Sequence, residues 1–186
     1  FIQHIEQLVD VAIQIIRQKS EIKLPLNAQS VSVNSMILDL NDLFELMCSK
    51  NNNQFSIKIE KDLHCICDEL QLKQSIIQVI SNATNYTKDG AVVVNVFKED
   101  ATIIFEVKDS GIGMDQSHVD RILSELKTSN LKTMDAFSNL GLGLVLVFQY
   151  LKQVQGNIAC DTKKGQGTTI RISHPVEPGL IETDKQ

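Results

Sequence analysis

The stretch Asp109-Ser110-Gly111-Ile112-Gly113-Met114 follows an apolar run, Ile103-Ile104-Phe105-Glu106-Val107-Lys108, whose alternation predicts a strand with one buried face. That strand delivers a carboxylate to a loop. The two glycines let another group approach the main chain closely, because no Cβ stands in the way. Further on, Gly141-Leu142-Gly143 opens a helical pattern, and a helix start offers unpaired N–H groups and a positive dipole end, which together suit phosphate. Neither glycine pair is specific alone. Their order is informative: an acidic residue at a strand end, Gly-x-Gly, a polar segment, then a second Gly-x-Gly at a helix start.

Upstream of this stretch, Ala91 to Phe97 reads as a valine-rich strand that pairs with the strand over 101–109 across the polar turn Lys98-Glu99-Asp100. Before it, Leu70, Leu72, Ile76, Ile77, Val79, Ile80 and Ala83 have helical spacing, with Asp68 as cap and Tyr86 at the end. Phe55, Ile57 and Ile59 alternate as a strand after the turn Asn51-Asn52-Asn53, and a short extended piece covers Leu63 to Cys67. A helix is predicted from Met36 to about Lys50, capped by Asn34 or Ser35. Residues 1–19 form an amphipathic pattern whose apolar stripe, Ile2, Ile5, Val9, Ala12 and Ile16, suits a partner helix; it is expected to end a longer helix. Pro25 breaks that pattern.

Downstream, a short helix is predicted near 116–126, a polar segment to Asn139, and a helix from Leu142 to about Val154 ended by Gly156. Asn157–Asp161 and Thr168–Ser173 make a last hairpin, and after Pro175 the chain turns polar. The fold class expected is α+β: a two-layer sandwich of helices on a mixed, largely antiparallel sheet. A Rossmann unit is excluded, because the first Gly-x-Gly lacks the third glycine.

The 186 residues suffice for one domain with a full core, and 42 % of them are hydrophobic. A net charge of −5 and a pI near 5.3, with no extended Lys/Arg cluster, argue against a nucleic-acid partner. No apolar run reaches the ~20 residues of a membrane helix. A cytoplasmic fragment is expected, with any membrane attachment supplied by upstream regions. Cys48, Cys65, Cys67 and Cys160 read as reduced thiols without zinc-site spacing.

At this point the chain resembles a specific family. Gln74 to Thr87, QSIIQVISNATNYT, resembles the N box of the GHKL ATPases in the form used by sensor histidine kinases. DSGIGM at 109–114 resembles their G1 box, NLGLGL at 139–144 their G2 box, and Gly165-Gln166-Gly167-Thr168 their closing Gly-x-Gly-Thr. The four stand in the family's order, and the likeness covers about residues 36–175. It implies a Bergerat-type ATP-binding fold over residues 26–176, preceded over 1–25 by the end of a dimerisation helix and a linker, and followed over 177–186 by a polar tail.

The resemblance implies a two-component phosphorelay enzyme: Mg²⁺-ATP is bound and its γ-phosphoryl group passes to a histidine on a dimerisation domain upstream. A response regulator and a second copy of the full protein are the implied partners. Asn82 would coordinate Mg²⁺ through its carbonyl oxygen; otherwise it is a satisfied core asparagine. Asp109 would accept the adenine amino group; otherwise it is a strand-end turn carboxylate. Gly111 and Gly113 would clear space beside the base, Tyr86 would cover its face, and Thr168 would reach it through water. Gly141 and Gly143 would bring backbone N–H groups to the phosphates. Lys127 and Lys132 would contact phosphate or simply be solvated.

Some positions depart from the family pattern. Gln78 replaces the first N-box asparagine, Asn85 the usual lysine, and Asn139 a glycine, while Ile122-Leu123-Ser124-Glu125-Leu126 lacks the F-box phenylalanines. Such changes spare nucleotide binding more than phosphoryl transfer. His4, followed by Ile5-Glu6-Gln7-Leu8 without proline, reads as a helix-surface histidine, so the phospho-acceptor is expected upstream of Phe1; His64, His118 and His174 read as solvated or structural. Two rival readings stand beside the kinase: a GHKL ATPase that uses ATP for conformational clamping, and a degenerate module that acts through partner binding.

Overall fold

A computed structural model describes residues 26–127 and 142–178. The helix expected over 1–19, the segment carrying Lys132, Asn139 and Gly141, and most of the polar tail lie outside the described residues.

The chain begins with β1 (Ala28–Ser32), α1 (Val33–Leu38) and α2 (Asn41–Ser49), then β2 (Gln54–Ile59) and β3 (His64–Asp68). The helix α3 (Glu69–Asn85) leads to the hairpin β4 (Ala91–Glu99) and β5 (Thr102–Asp109). Next come α4 (Gln116–Lys127), α5 (Leu142–Gln153), β6 (Asn157–Lys163) and β7 (Gly167–Pro175). Five strands form the main sheet in the order β2-β4-β5-β7-β6; β2 and β4 are parallel and the other pairs antiparallel. β1 and β3 pair separately, antiparallel. The expected α+β sandwich is the architecture observed.

Alternation along the strands sends Val92, Val94 and Val96, then Ile103, Phe105 and Val107, then Ile170 and Ile172 to one face. Against that face lie Leu72, Ile76, Val79 and Ile80 of α3, Val147 and Leu151 of α5, and Val154 just after it, all buried. On the opposite face Asn95, Glu106 and Arg171 line up across three strands. Glu106 accepts from Asn95 Nδ2 at 3.0 Å and from Arg171 Nε at 2.7 Å. Asp109 ends β5 in register with Val92 and continues the buried series of Phe105 and Val107. The register therefore turns a carboxylate towards the helix layer, at the sheet end where α3 stops.

The single helix predicted over 36–50 is two helices. The Leu40 amide turns back to Ile37 O at 3.1 Å, and the break lets both Ile37 and Phe44 reach the core. Ser32, rather than Asn34 or Ser35, supplies the cap, accepting from the Ser35 amide at 3.4 Å. Asn34 is engaged elsewhere: its side chain donates to Glu60 O and accepts from the Leu63 amide, both at 2.8 Å, holding the turn before β3. α3 begins as expected, with Asp68 accepting from the Gln71 amide at 3.1 Å. At the end of α5, Gln155 rather than Gly156 takes the left-handed conformation, with φ at 58°. Gly156 is instead a close-approach point, where a Cβ would meet Ser173 O and Leu151. The last hairpin is longer than predicted, pairing through Lys163 and Gly167. No helix among the described residues is long and apolar enough to cross a membrane.

Candidate nucleotide-binding site

The end of α3, the loop after β5 and the β6–β7 turn meet around Asp109. The Tyr86 amide closes α3 on Asn82 O at 3.1 Å, and Tyr86 O then accepts from the Ile112 amide at 3.1 Å. Ser110 binds Ala91 twice, through its amide to Ala91 O at 3.1 Å and through Oγ, which accepts the Ala91 amide at 2.9 Å. On the other side, the Gly165 amide donates to Ile112 O at 2.6 Å and the Met114 amide to Thr162 Oγ1 at 2.9 Å. Gln116 acts as one more strand neighbour for β6. Its side-chain Nε2 donates to Cys160 O at 2.9 Å and its Oε1 accepts from the Thr162 amide at 2.8 Å. The loop over 110–116 is thus pinned at both flanks.

Asp109 is 7 % exposed, and its Oδ1 accepts the backbone N–H groups of Gly111 at 2.8 Å and Thr168 at 3.2 Å. Burial pushes its carboxyl above the usual aspartate range, while those two amides and the nearby Thr87 hydroxyl pull it down. Desolvation is the larger effect. Thr168 Oγ1 lies 3.0 Å from Thr162 Oγ1, so the threonine expected beside the base is tied into the same lock.

The glycines mark close approaches within the chain. A Cβ on Gly111 would collide with Tyr86 O and meet Thr87 Oγ1. Gly113 has φ at +58°, and a Cβ there would collide with Lys163 O. At these two positions the missing Cβ lets the end of α3 and the β6–β7 hairpin lie close against the loop. Gly143 lies in the first turn of α5, where a Cβ would run into the amide of Gln78 on α3, so the two helices approach closely at that point. Gly141 is outside the described residues, and so is the side chain of Lys127.

Asn82 is half-buried rather than deep in the core, and no hydrogen bond among the described residues engages its side-chain amide. Its carbonyl oxygen is a neutral, hard donor of the kind Mg²⁺ accepts, and a single protein ligand is compatible with an ion that keeps several waters and takes phosphate oxygens. Tyr86 is 56 % exposed, and Ile112, whose amide bonds Tyr86 O, is 64 % exposed. Asn85 is exposed and donates to Ser81 Oγ at 3.4 Å.

Several supporting residues carried no functional signal in the sequence. Asn53, read only as part of a turn, is 8 % exposed; its side chain donates to Thr84 O at 3.3 Å and Thr87 O at 2.9 Å and accepts from the Gly90 amide at 3.1 Å. It fastens the end of α3 to the start of β4. Thr87, the last residue of the N-box stretch, is 1 % exposed. Thr162 and Gln116 join α4, the loop and the hairpin. Only contacts between segments distant in the chain distinguish these side chains from ordinary turn residues.

The family model for histidine kinase-, DNA gyrase B-, and HSP90-like ATPases matches residues 67–178, and the chain belongs to that family. Within it, the chain is a domain of the sensor-histidine-kinase type. It is 30 % identical over 157 residues to the aerobic respiration control sensor protein ArcB of Escherichia coli, a match covering 81 % of this chain and 20 % of that protein. It is 28 % identical over 155 residues to the autoinducer 2 sensor kinase/phosphatase LuxQ of Vibrio vulnificus, covering 78 % of this chain and 18 % of that one. The chain thus spans about a fifth of the length of these curated relatives. In fold it is similar to the catalytic domain of histidine kinase ThkA, with a TM-score of 0.68 at 21 % identity over 82 % of this chain and 97 % of that one. It is also similar to full-length ShkA in complex with AMPPNP, with a TM-score of 0.77 at 20 % identity over 95 % of this chain and 37 % of that one.

Proposed function

We propose that this domain binds Mg²⁺-ATP and passes the γ-phosphoryl group to a histidine on a dimerisation domain of the same protein. The observation that carries this is Asp109. It is a buried carboxylate facing no cation among the described residues, bonded by two backbone amides with the Thr87 hydroxyl close by. A buried, unpaired carboxylate opposes folding, and recognition of a ligand donor accounts for it. The adenine amino group is such a donor, and a buried acceptor rejects bases that lack it. Tyr86 would flank the base, Thr168 would reach it through water, and the N–H groups near Gly141 and Gly143 would meet the phosphates. Asn82 would hold Mg²⁺, which when bound neutralises triphosphate charge.

Residues 1–25 are assigned to the end of a dimerisation helix and its linker, 26–176 to the catalytic domain, and 177–186 to a tail. A response regulator is the expected acceptor after the histidine, and the full protein is expected to act as a homodimer.

Asn85 favours a second reading in which nucleotide binding outlasts efficient transfer. It presents a neutral amide, bonded to Ser81, where the resemblance expects a lysine. The full-length protein incubated with γ-labelled ATP separates the two. An acid-labile label that disappears with Asn82→Ala supports the kinase; bound nucleotide with no label supports the binding module.

A further inference from the structure

Thr87 Oγ1 is a buried side-chain atom without a hydrogen-bond partner among the described residues. It stands under Gly111, where a Cβ would come within 2.7 Å of it, and beside the Asp109 carboxylate, whose anion it favours. It stands close enough to the carboxylate to favour its charged form, yet makes no hydrogen bond to it among the described residues. The rest of the residue is committed. Thr87 O accepts from Asn53 Nδ2 at 2.9 Å, and Cγ2 packs where a Gly90 Cβ would fall. Packing thus fixes the side chain while leaving one buried donor aimed at the site.

A buried hydroxyl without a partner lowers stability, so its presence calls for an explanation outside packing. Asp109 supplies one: Oδ1 already holds two amides, and a third donor would keep the carboxylate ionised and oriented while an incoming amino group uses its remaining acceptor capacity. We infer that Thr87 is a positioning and specificity-determining residue for the nucleotide base, acting by donating its hydroxyl to Asp109. This rests on the reading of Asp109 as the acceptor for the adenine amino group.

The test compares ATP with the triphosphate of purine riboside, which lacks the amino group, by calorimetry on wild type, Thr87→Val, Thr87→Ser and Asp109→Asn. Thr87→Val keeps the shape and removes the hydroxyl. It should melt no lower than wild type yet bind ATP about tenfold more weakly, with the purine analogue changed by about twofold or less. Thr87→Ser should stay within about threefold of wild type for both ligands. Equal losses for the two ligands, or unchanged ATP binding by Thr87→Val, would overturn the inference. If Asp109→Asn weakens ATP binding while Thr87→Val does not, only the role of Thr87 fails. ATP binding undiminished in Asp109→Asn sinks the reading of Asp109 itself. Should Thr87→Val not fold, Thr87→Cys is judged by the same ATP-to-analogue ratio, an unchanged ratio counting against the inference.

Discussion

The backbone N–H of Thr168 donates to Asp109 Oδ1 at 3.2 Å across 59 positions of sequence, so the carboxylate and the closing hairpin are one structural unit. Gly167, just before, has φ at +85°, and a Cβ on it would collide with the Asp109 carbonyl oxygen, which is backbone and cannot move aside. Gly167→Ala combines left-handed strain with that collision. It should destabilise by about 2–4 kcal/mol in urea denaturation and weaken ATP binding with it. A loss below about 0.5 kcal/mol would contradict this account of the hairpin.

Asp109 also sets a pH dependence. Burial raises its carboxyl above the ordinary range in the fold. A group so raised contributes stability that is fully present below its unfolded pKa and is lost as pH rises through the folded one. At neutral pH the ionised form is therefore a burden on the fold. Asp109→Asn, whose side-chain oxygen still accepts both amides, should melt at or above wild type at neutral pH. The gap should close as pH falls towards the aspartate range, as thermal melts across a pH series would record.

Asn53→Ala removes three hydrogen bonds from a buried site and leaves Thr87 O and the Gly90 amide without that partner. A loss of about 2–3 kcal/mol is expected in chemical denaturation. Asn53→Asp should do no better, since a carboxylate would face the carbonyls of Thr84 and Thr87.

Gly143→Ala sets helix propensity against contact with Gln78. Alanine in a helix is favoured over glycine by about 1 kcal/mol, and the obstruction is the far end of a flexible side chain. The single variant should lie within about 1 kcal/mol of wild type. In a Gln78→Ala background the same change should stabilise, by about 0.5–1 kcal/mol. Strict additivity in the double-mutant cycle would show that the two residues do not meet.

Much of this architecture was legible because local and global signals agreed. Asp68 capped a strongly periodic α3, the valine run of β4 alternated with β5, and the charged turn between them announced a hairpin. Asp109 was legible as a strand-end carboxylate for the same reason. The break between α1 and α2 was not, since Leu40 fits the helical pattern and only the shared core redirects the chain. The glycines illustrate the other limit. Their spacing marked a close approach, but what approaches Gly111 is Tyr86 and Thr87, and what approaches Gly113 is Lys163. Sequence shows that a Cβ is excluded, and only the fold shows by what.

The central claim is that Asp109 is the base-recognising end of an ATP site. It is tested most directly by calorimetric titration of Mg²⁺-ATP into wild type and Asp109→Asn. The account predicts a single-site isotherm for wild type and, in a variant that melts no lower, affinity reduced by about a hundredfold or more. Absence of binding to wild type, or an isotherm unchanged by Asp109→Asn, would contradict it.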